Sequence, residues 1–367
     1  MMQTEVGCID LFCGAGGLTC GLGRAGIPVL AGADLDVACR HPFEANNPAR
    51  FIQKDVTAVS SEEISTIFGR SEIRVLAGCA PCQPFSTYSQ RYETKGTPRW
   101  GLLYQFGRLV REIRPEIVTM ENVSTLSRHS VHDDFITILK KNDYHLFEEV
   151  IDCSAHGLPQ TRRRTVLMAS LLGPIELETP GEAVLQTVRM AIDDLPPLVA
   201  GGTDGHDPLH TSSILSELNL ERIRASKPGG TWRDWPEHLV AECHRKSSGK
   251  TYPSVYGRMS WDLPSPTLTT QFYGFGNGRF GHPEQDRAIS LREGAILQGF
   301  PKSYSFLPKD GAVQFRTLGR LIGNAVPVTL GEVIGRSIVT HLGFRAEKMK
   351  TKNGGAAADD AREPLVA

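Results

Sequence analysis

The 367-residue sequence predicts an α/β protein: a doubly wound, mostly parallel sheet joined to a second, smaller, loop-rich lobe. Three observations predict it. Short apolar runs alternate with stretches of helical spacing, the pattern of strands and their crossover helices. The first apolar run opens directly into a glycine-rich turn. The alternation stops after Leu171, where Pro, Gly, Trp and scattered charges take over.

Residues 6–12 read as the first strand and 18–25 as a helix. Residues 29–33 are a second apolar run closing on Asp34, followed by a helix over 37–46. A run over 74–77 enters a loop rich in Pro and Cys, 102–113 has helical spacing, and 117–120 is strand-like and ends on Glu121. A helix over 135–141 and a strand over 166–170 complete a first lobe, residues 1–171. The second lobe, 172–315, is irregular to about residue 250, then carries Gly- and Pro-punctuated strands through 306. Residues 316–345 read as a C-terminal helix returning to the first lobe, with 317–342 apolar like a core helix, and 346–367 as a disordered tail. Ligands of such sheets sit at the carboxyl ends of the strands. Asp10, Asp34, Cys82 and Glu121 all fall at or just beyond predicted strand ends, which puts them in one site.

Forty basic and 41 acidic side chains leave a net charge of -1, which argues against a chain that coats nucleic acid by bulk electrostatics. A basic cleft inside a neutral protein stays compatible with that balance. No apolar run approaches the ~20 residues of a membrane span. The start, M-M-Q-T-E-V-G-C-I-D, lacks the charged and apolar regions of a signal peptide, so the chain is expected to stay in the cytoplasm. The eight cysteines read as free thiols of a reducing compartment. Cys79 and Cys82 are spaced C-x-x-C, and three readings compete. A zinc site wants a second such pair, which is missing, so no metal is expected. A redox pair wants a thioredoxin-like setting, and a lone nucleophile is the third reading.

D-L-F-C-G-A-G-G, residues 10–17, follows a strand and opens a helix. Backbone at Gly14, Ala15 and Gly16 can approach a ligand closely, and the helix start favours an anionic group. Asp34 is placed to accept both hydroxyls of a ribose, and Asp55 to accept from an adenine amino group. The loop lacks a clean G-x-G-x-x-G and the Lys-Ser/Thr pair of a P-loop, so it points to a nucleoside cofactor without naming one. In G-C-A-P-C-Q-P-F-S, residues 78–86, Pro81 and Pro84 fix the backbone around Cys82, as suits a rigidly held nucleophilic thiol. E-N-V follows at Glu121, and Q-T-R-R-R at Gln160. Strand alternation aims Arg162 and Arg164 one way and Arg163 the other.

These blocks together resemble the cytosine-C5 DNA methyltransferases. Residues 78–86 look like that family's P-C-Q nucleophile motif and 10–17 like its cofactor loop. Glu121-Asn122-Val123 looks like its E-N-V, Gln160-x-Arg162-x-Arg164 like its Q-x-R-x-R, and Gly323-Asn324-Ala325-Val326-Pro327 like its G-N-x-V. The second lobe adds Arg258-Met259-Ser260-Trp261-Asp262, P-S-P-T-L-T from Pro264, and Ser290-Leu291-Arg292-Glu293 with Gln298-Gly299-Phe300-Pro301. The blocks stand in the family's order.

The resemblance implies S-adenosylmethionine as methyl donor and double-stranded DNA as substrate. It implies that Cys82 adds to C6 of a flipped-out cytosine, which makes C5 nucleophilic. Glu121 would bond at the N3 side, and Arg164 with Arg162 near it would hold the C2 carbonyl or the adjacent backbone. Phe12, Asp34, Asp55, Leu102 and Asn324 would line the cofactor site, with Pro81 beside them, and Gln160 would shape the site around the arginines. Residues 172–254, with Trp232-Arg233-Asp234-Trp235, His244-Arg245-Lys246 and Lys250, stand where the family keeps its target-recognition segment. The chain departs from the family at Cys79 and Ala80, where many members carry Gly and Pro, and at Thr97 and Trp100 around the matching Arg99 and Leu102. A prokaryotic-type monomer, alone or with a cognate restriction endonuclease, is expected. A tRNA cytosine-C5 methyltransferase of the same family is the runner-up. A non-catalytic DNA-binding module would predict damage at Cys82, Glu121 or the arginines, and all are intact.

Overall fold

The computed structural model describes residues 5–81, 101–179, 181 and 184–356, with side chains as far as residue 343. Seven strands form one sheet: β1 (Val6–Leu11), β2 (Val29–Asp34), β3 (Arg50–Gln53), β4 (Ile73–Gly78), β5 (Ile117–Val123), β6 (His145–Asp152) and β7 (Arg163–Ser170). Their order is β3-β2-β1-β4-β5-β7-β6. β1 to β5 pair in parallel, and β7 runs antiparallel to both β5 and β6. This is the mostly parallel, doubly wound sheet that the sequence predicts.

The central strands are buried on both faces, which is why they read as unbroken apolar runs. Among the described residues, five α-helices come from the same half of the chain: α1 (Gly17–Arg24), α2 (Arg40–Asn46), α3 (Ser61–Phe68), α4 (Gly101–Ile113) and α5 (Ser130–Lys141). α3, α4 and α5 bury Ile64, Phe68, Phe106, Leu109, Phe135 and Leu139 against one face, represented by Ile9, Leu76, Val118 and Leu167. The next residues along, Cys8, Val75, Ile117, Val166 and Met168, point to the other face.

The remainder holds α6 (Val188–Ile192), α7 (Glu217–Ala225), α8 (Glu242–Arg245), α9 (Ser247–Lys250), α10 (Leu291–Leu297), α11 (Phe315–Asn324) and α12 (Val328–Ala356). α12 covers the second face of the sheet beside α1, through Val333, Ile334 and Ile338. Glycines set how closely these two helices cross. A Cβ added at Gly21 would lie 2.3 Å from Val328 O and 2.5 Å from Glu332 N.

Two expectations are corrected. The single helix over 317–342 is two, because Ala325 is extended and Pro327 cannot continue the hydrogen-bond ladder. The strands expected before residue 306 do not form. Among the described residues only isolated bridges occur there, such as Arg258↔Gly281 and Gly281↔Ala288. Side chains hold this backbone instead of ladders. The buried Arg258 guanidinium donates to the carbonyls of Ile223, Ser226, His282 and Gln285, and pairs with Asp286. Ser290 and Glu293 form a capping box at the start of α10, and Arg287 holds the buried Glu293 carboxylate at 2.7 Å through both of its oxygens.

Trp232, Trp235, Phe275 and Ala288 belong to a small core formed by residues 200–288. A larger cluster joins distant parts of the chain: Cys13, Phe43 and Phe51 pack with Phe272, Leu297, Phe300 and Ile322. α12 continues as backbone to Ala356, and residues 357–367 lie outside the described residues.

Candidate active site

At the carboxyl ends of β1 to β4 the loops meet α11 around a cavity of about 530 Å³. β1 ends in a left-handed turn: Phe12 has φ 60°, Gly14 φ 53° and Gly16 φ 86°. Positive φ is natural for glycine and strained for an aromatic residue, so Phe12 is held where the cavity, not local propensity, wants it. The turn is fastened by Asp34 at the end of β2, whose carboxylate accepts from Gly14 N at 3.0 Å and Asp36 N at 2.9 Å. Burial raises the Asp34 pKa, and these two N–H groups oppose the rise.

Asp10 is buried at the end of β1. One of its oxygens accepts from the Thr19 hydroxyl at 2.7 Å; the other has no hydrogen-bond partner among the described residues. Burial pushes its pKa up to about 7. Asp55 accepts from both the amide and the hydroxyl of Thr57 at 2.8 Å. Phe12, Gly14, Ala15, Asp34, Asp55, Pro81, Leu102 and Asn324 all line the cavity. Gly16 does not. It caps α1, and a Cβ there would meet Asn47, Tyr304 and Phe43, so this glycine serves the turn rather than the ligand. Arg320 and Leu321 were not foreseen. Arg320 pairs with Asp36 across the cavity mouth. Its spacing of four from Asn324, which puts both on one face of a helix, was the available signal.

Beyond the cavity wall, Glu121 is 2% exposed at the end of β5. Arg164 Nε lies 2.8 Å from Glu121 Oε1, an ion pair rather than a straight hydrogen bond. The Cys79 thiol donates to Oε2 at 2.9 Å. Next to Glu121, Asn122 donates to Ala80 O at 3.0 Å. The loop leaving β4 is therefore fastened to the end of β5 by two adjacent side chains. Cys82, Pro84, Thr97, Arg99 and Trp100 lie outside the described residues.

The two outer residues of Q-x-R-x-R part company. Arg164 reaches Glu121, whereas Arg162 is buried and turned to the protein. Its guanidinium donates to Gln160 Oε1 and to the carbonyls of Leu268, Gly323 and Ala325, at 3.3–3.5 Å. Gln160 donates to Leu297 O and Gln298 Oε1, and accepts from Leu268 N. This pair ties the entry of β7 to the segment at Leu268, to the end of α10 and to the end of α11. A nearby substrate carbonyl, the role expected for Arg162, would compete with bonds already made. Arg163 is exposed, as strand alternation predicts.

The sequence profile of C-5 cytosine-specific DNA methylases matches residues 6–340. The chain belongs to that family. It is a DNA methylase acting on C5 of cytosine, and the family's methyl donor is S-adenosylmethionine. Among relatives, a Type II methylase of Herpetosiphon aurantiacus, M.HgiDII, is 49% identical over 349 residues, covering 94% of this chain and 98% of its own. The Type II methyltransferase M.Eco47II of Escherichia coli is 31% identical over 347 residues, covering 90% of this chain and 78% of its own. The solved structure described as a DNA modification methyltransferase encoded within an E. coli prophage superposes with a TM-score of 0.71 at 23% identity, over 92% of this chain and 100% of its own. That likeness bears on the fold, and the sheet of this methylase follows it.

The donor fits the cavity. A volume of about 530 Å³ is of the size that small-molecule sites take. Asp34 offers a carboxylate at the strand end, and Asp10 a buried oxygen in need of a donor.

Proposed function

We propose that this methylase modifies cytosine within a short, specific duplex site, through a covalent bond from Cys82 to C6 of a flipped-out base. S-adenosylmethionine supplies an electrophilic methyl group; everything else is done by the chain. Cys82 adds as thiolate and turns the ring into an enamine. Glu121 carries or shares a proton at the N3 side of the ring, and Arg164, fixed against Glu121, balances charge as it develops. Arg162 and Gln160 keep the two lobes in register around that site. Phe12, Asp34, Asp55, Leu102 and Asn324 hold the donor, with Asp34 toward the ribose. Loss of the C5 proton and departure of Cys82 restore the aromatic ring.

The observation that carries the reading is the buried Glu121, braced by Arg164 and fastened through Cys79, which lines the cavity, to the loop that leads to Cys82. Residues 172–254 would read the site. The names of the relatives support a restriction-modification role. A cognate endonuclease as partner, and a monomer at work in the cytoplasm, complete the proposal.

The test is trapping. Duplex DNA bearing 5-fluorocytosine is incubated with the protein and labelled S-adenosylmethionine. An adduct that survives denaturation and vanishes in Cys82→Ala supports nucleophile, donor and base together. An adduct on tRNA alone would move the substrate class. No adduct with either would remove the covalent reading.

A further inference from the structure

The thiol of Cys79 has no part in the reaction just described, yet it touches the carboxylate at its centre. Cys79 lines the donor cavity and donates to Glu121 Oε2 at 2.9 Å, while Arg164 stands at Oε1. The contact spans 42 residues of chain, between the loop after β4 and the end of β5. Its neighbour contact, Asn122 to Ala80 O, fixes the backbone and leaves the carboxylate alone. We propose that Cys79 is a positioning residue that sets the orientation of Glu121 during methyl transfer. The proposal rests on the reading of Glu121 as the acid that faces the cytosine.

A buried carboxylate oxygen without a donor is unfavourable, so a side chain that supplies the donor fixes which way the carboxylate faces. A thiol is the weakest donor that a side chain of this size offers. It can satisfy Oε2 while the site is empty and give way when a ring nitrogen or amino group of the base arrives. Serine would hold the oxygen more firmly. Alanine would leave it bare.

The experiment measures kcat and the KM for duplex DNA of full-length wild type, Cys79→Ala and Cys79→Ser, at saturating S-adenosylmethionine, with thermal melting to verify folding. In Cys79→Ala kcat should fall about tenfold while the KM for DNA stays within about twofold, and Cys79→Ser, which keeps a donor, should recover most of the loss. An unchanged kcat in Cys79→Ala, or a fall that Cys79→Ser does not recover, overturns the proposal and leaves the methylase reading intact. If Cys79→Ala does not fold, Cys79→Ser decides alone: a kcat within about threefold of wild type supports the proposal and a larger fall overturns it. A wild-type protein that transfers no methyl group to cytosine in any duplex overturns both readings.

Discussion

Glu121 and Arg164 are diagonal neighbours across the antiparallel β5–β7 pair. Glu121 faces Val166 and Val123 faces Arg164, and the charged heads meet at 2.8 Å. Both side chains leave the same face of the sheet, so the backbone ladder fixes the pair's geometry. Arg164→Ala should therefore lower kcat by about 100-fold or more, the scale seen when one preorganised charge stabiliser is lost. Arg164→Lys should recover only part of this, because a point charge replaces a planar fork. Affinity for S-adenosylmethionine, read by calorimetry, should stay within about twofold, since Arg164 does not line the cavity.

Arg162→Ala should behave differently. Its bonds go to Gln160 and three backbone carbonyls, so the loss falls on stability, on the order of 3 kcal/mol, before it falls on chemistry. Denaturant unfolding checks this. A variant of unchanged stability and abolished turnover would return Arg162 to the substrate.

Asp34→Ala should weaken S-adenosylmethionine binding by about 10- to 100-fold, from the lost ribose bonds and from release of the Gly14 amide that the carboxylate now holds. Isothermal titration measures it. Unaltered affinity would place the ribose elsewhere.

Asp10 gives a pH dependence whose sign follows from burial. Its pKa rises from 3.8 to about 7 on folding, so between those values the folded chain keeps a proton that the unfolded chain has lost. Its contribution is complete below about pH 4 and fades as pH rises through 7. In donor-free protein, Asp10→Asn should thus gain stability relative to wild type as pH rises from 5 to 7.5, by urea unfolding at each pH. A constant difference would mean that Asp10 titrates normally.

Gly21→Ala should destabilise by about 1–3 kcal/mol, because the added methyl meets backbone of α12 that cannot rotate away. Gly23→Ala, two residues on, meets nothing within 4 Å and is the control for a general effect on the helix. Melting temperatures of the two variants give the comparison.

Much of the sheet was legible because β1, β2, β4, β5 and β7 are buried on both sides and read as apolar runs. β3 was not, being four residues long with Arg50 and Gln53 at its ends. β6 is an edge strand whose His145, Glu148, Glu149 and Asp152 face outward and hide its period. Residues 250–306 form no ladders because single side chains, Arg258 above all, hold this backbone, and such side chains leave no periodic mark. In the site, Asp34, Glu121 and Arg164 stood out from their motifs and strand ends. The contacts of Cys79 and Arg320 join residues 42 and 284 positions away, which no local pattern encodes.

Two parts of the cavity's wall are far apart in the described chain: Asp10 to Leu18 and Arg320 to Val326. A polypeptide emerging from the ribosome thus carries its glycine-rich turn for almost the whole of its synthesis without the opposing wall. An unfinished chain would make a poor binder of the methyl donor, and a newly made molecule could begin to modify DNA only once α11 had docked. Emergence of the glycine-rich turn and emergence of its opposing wall are separated by the time needed to translate some three hundred residues.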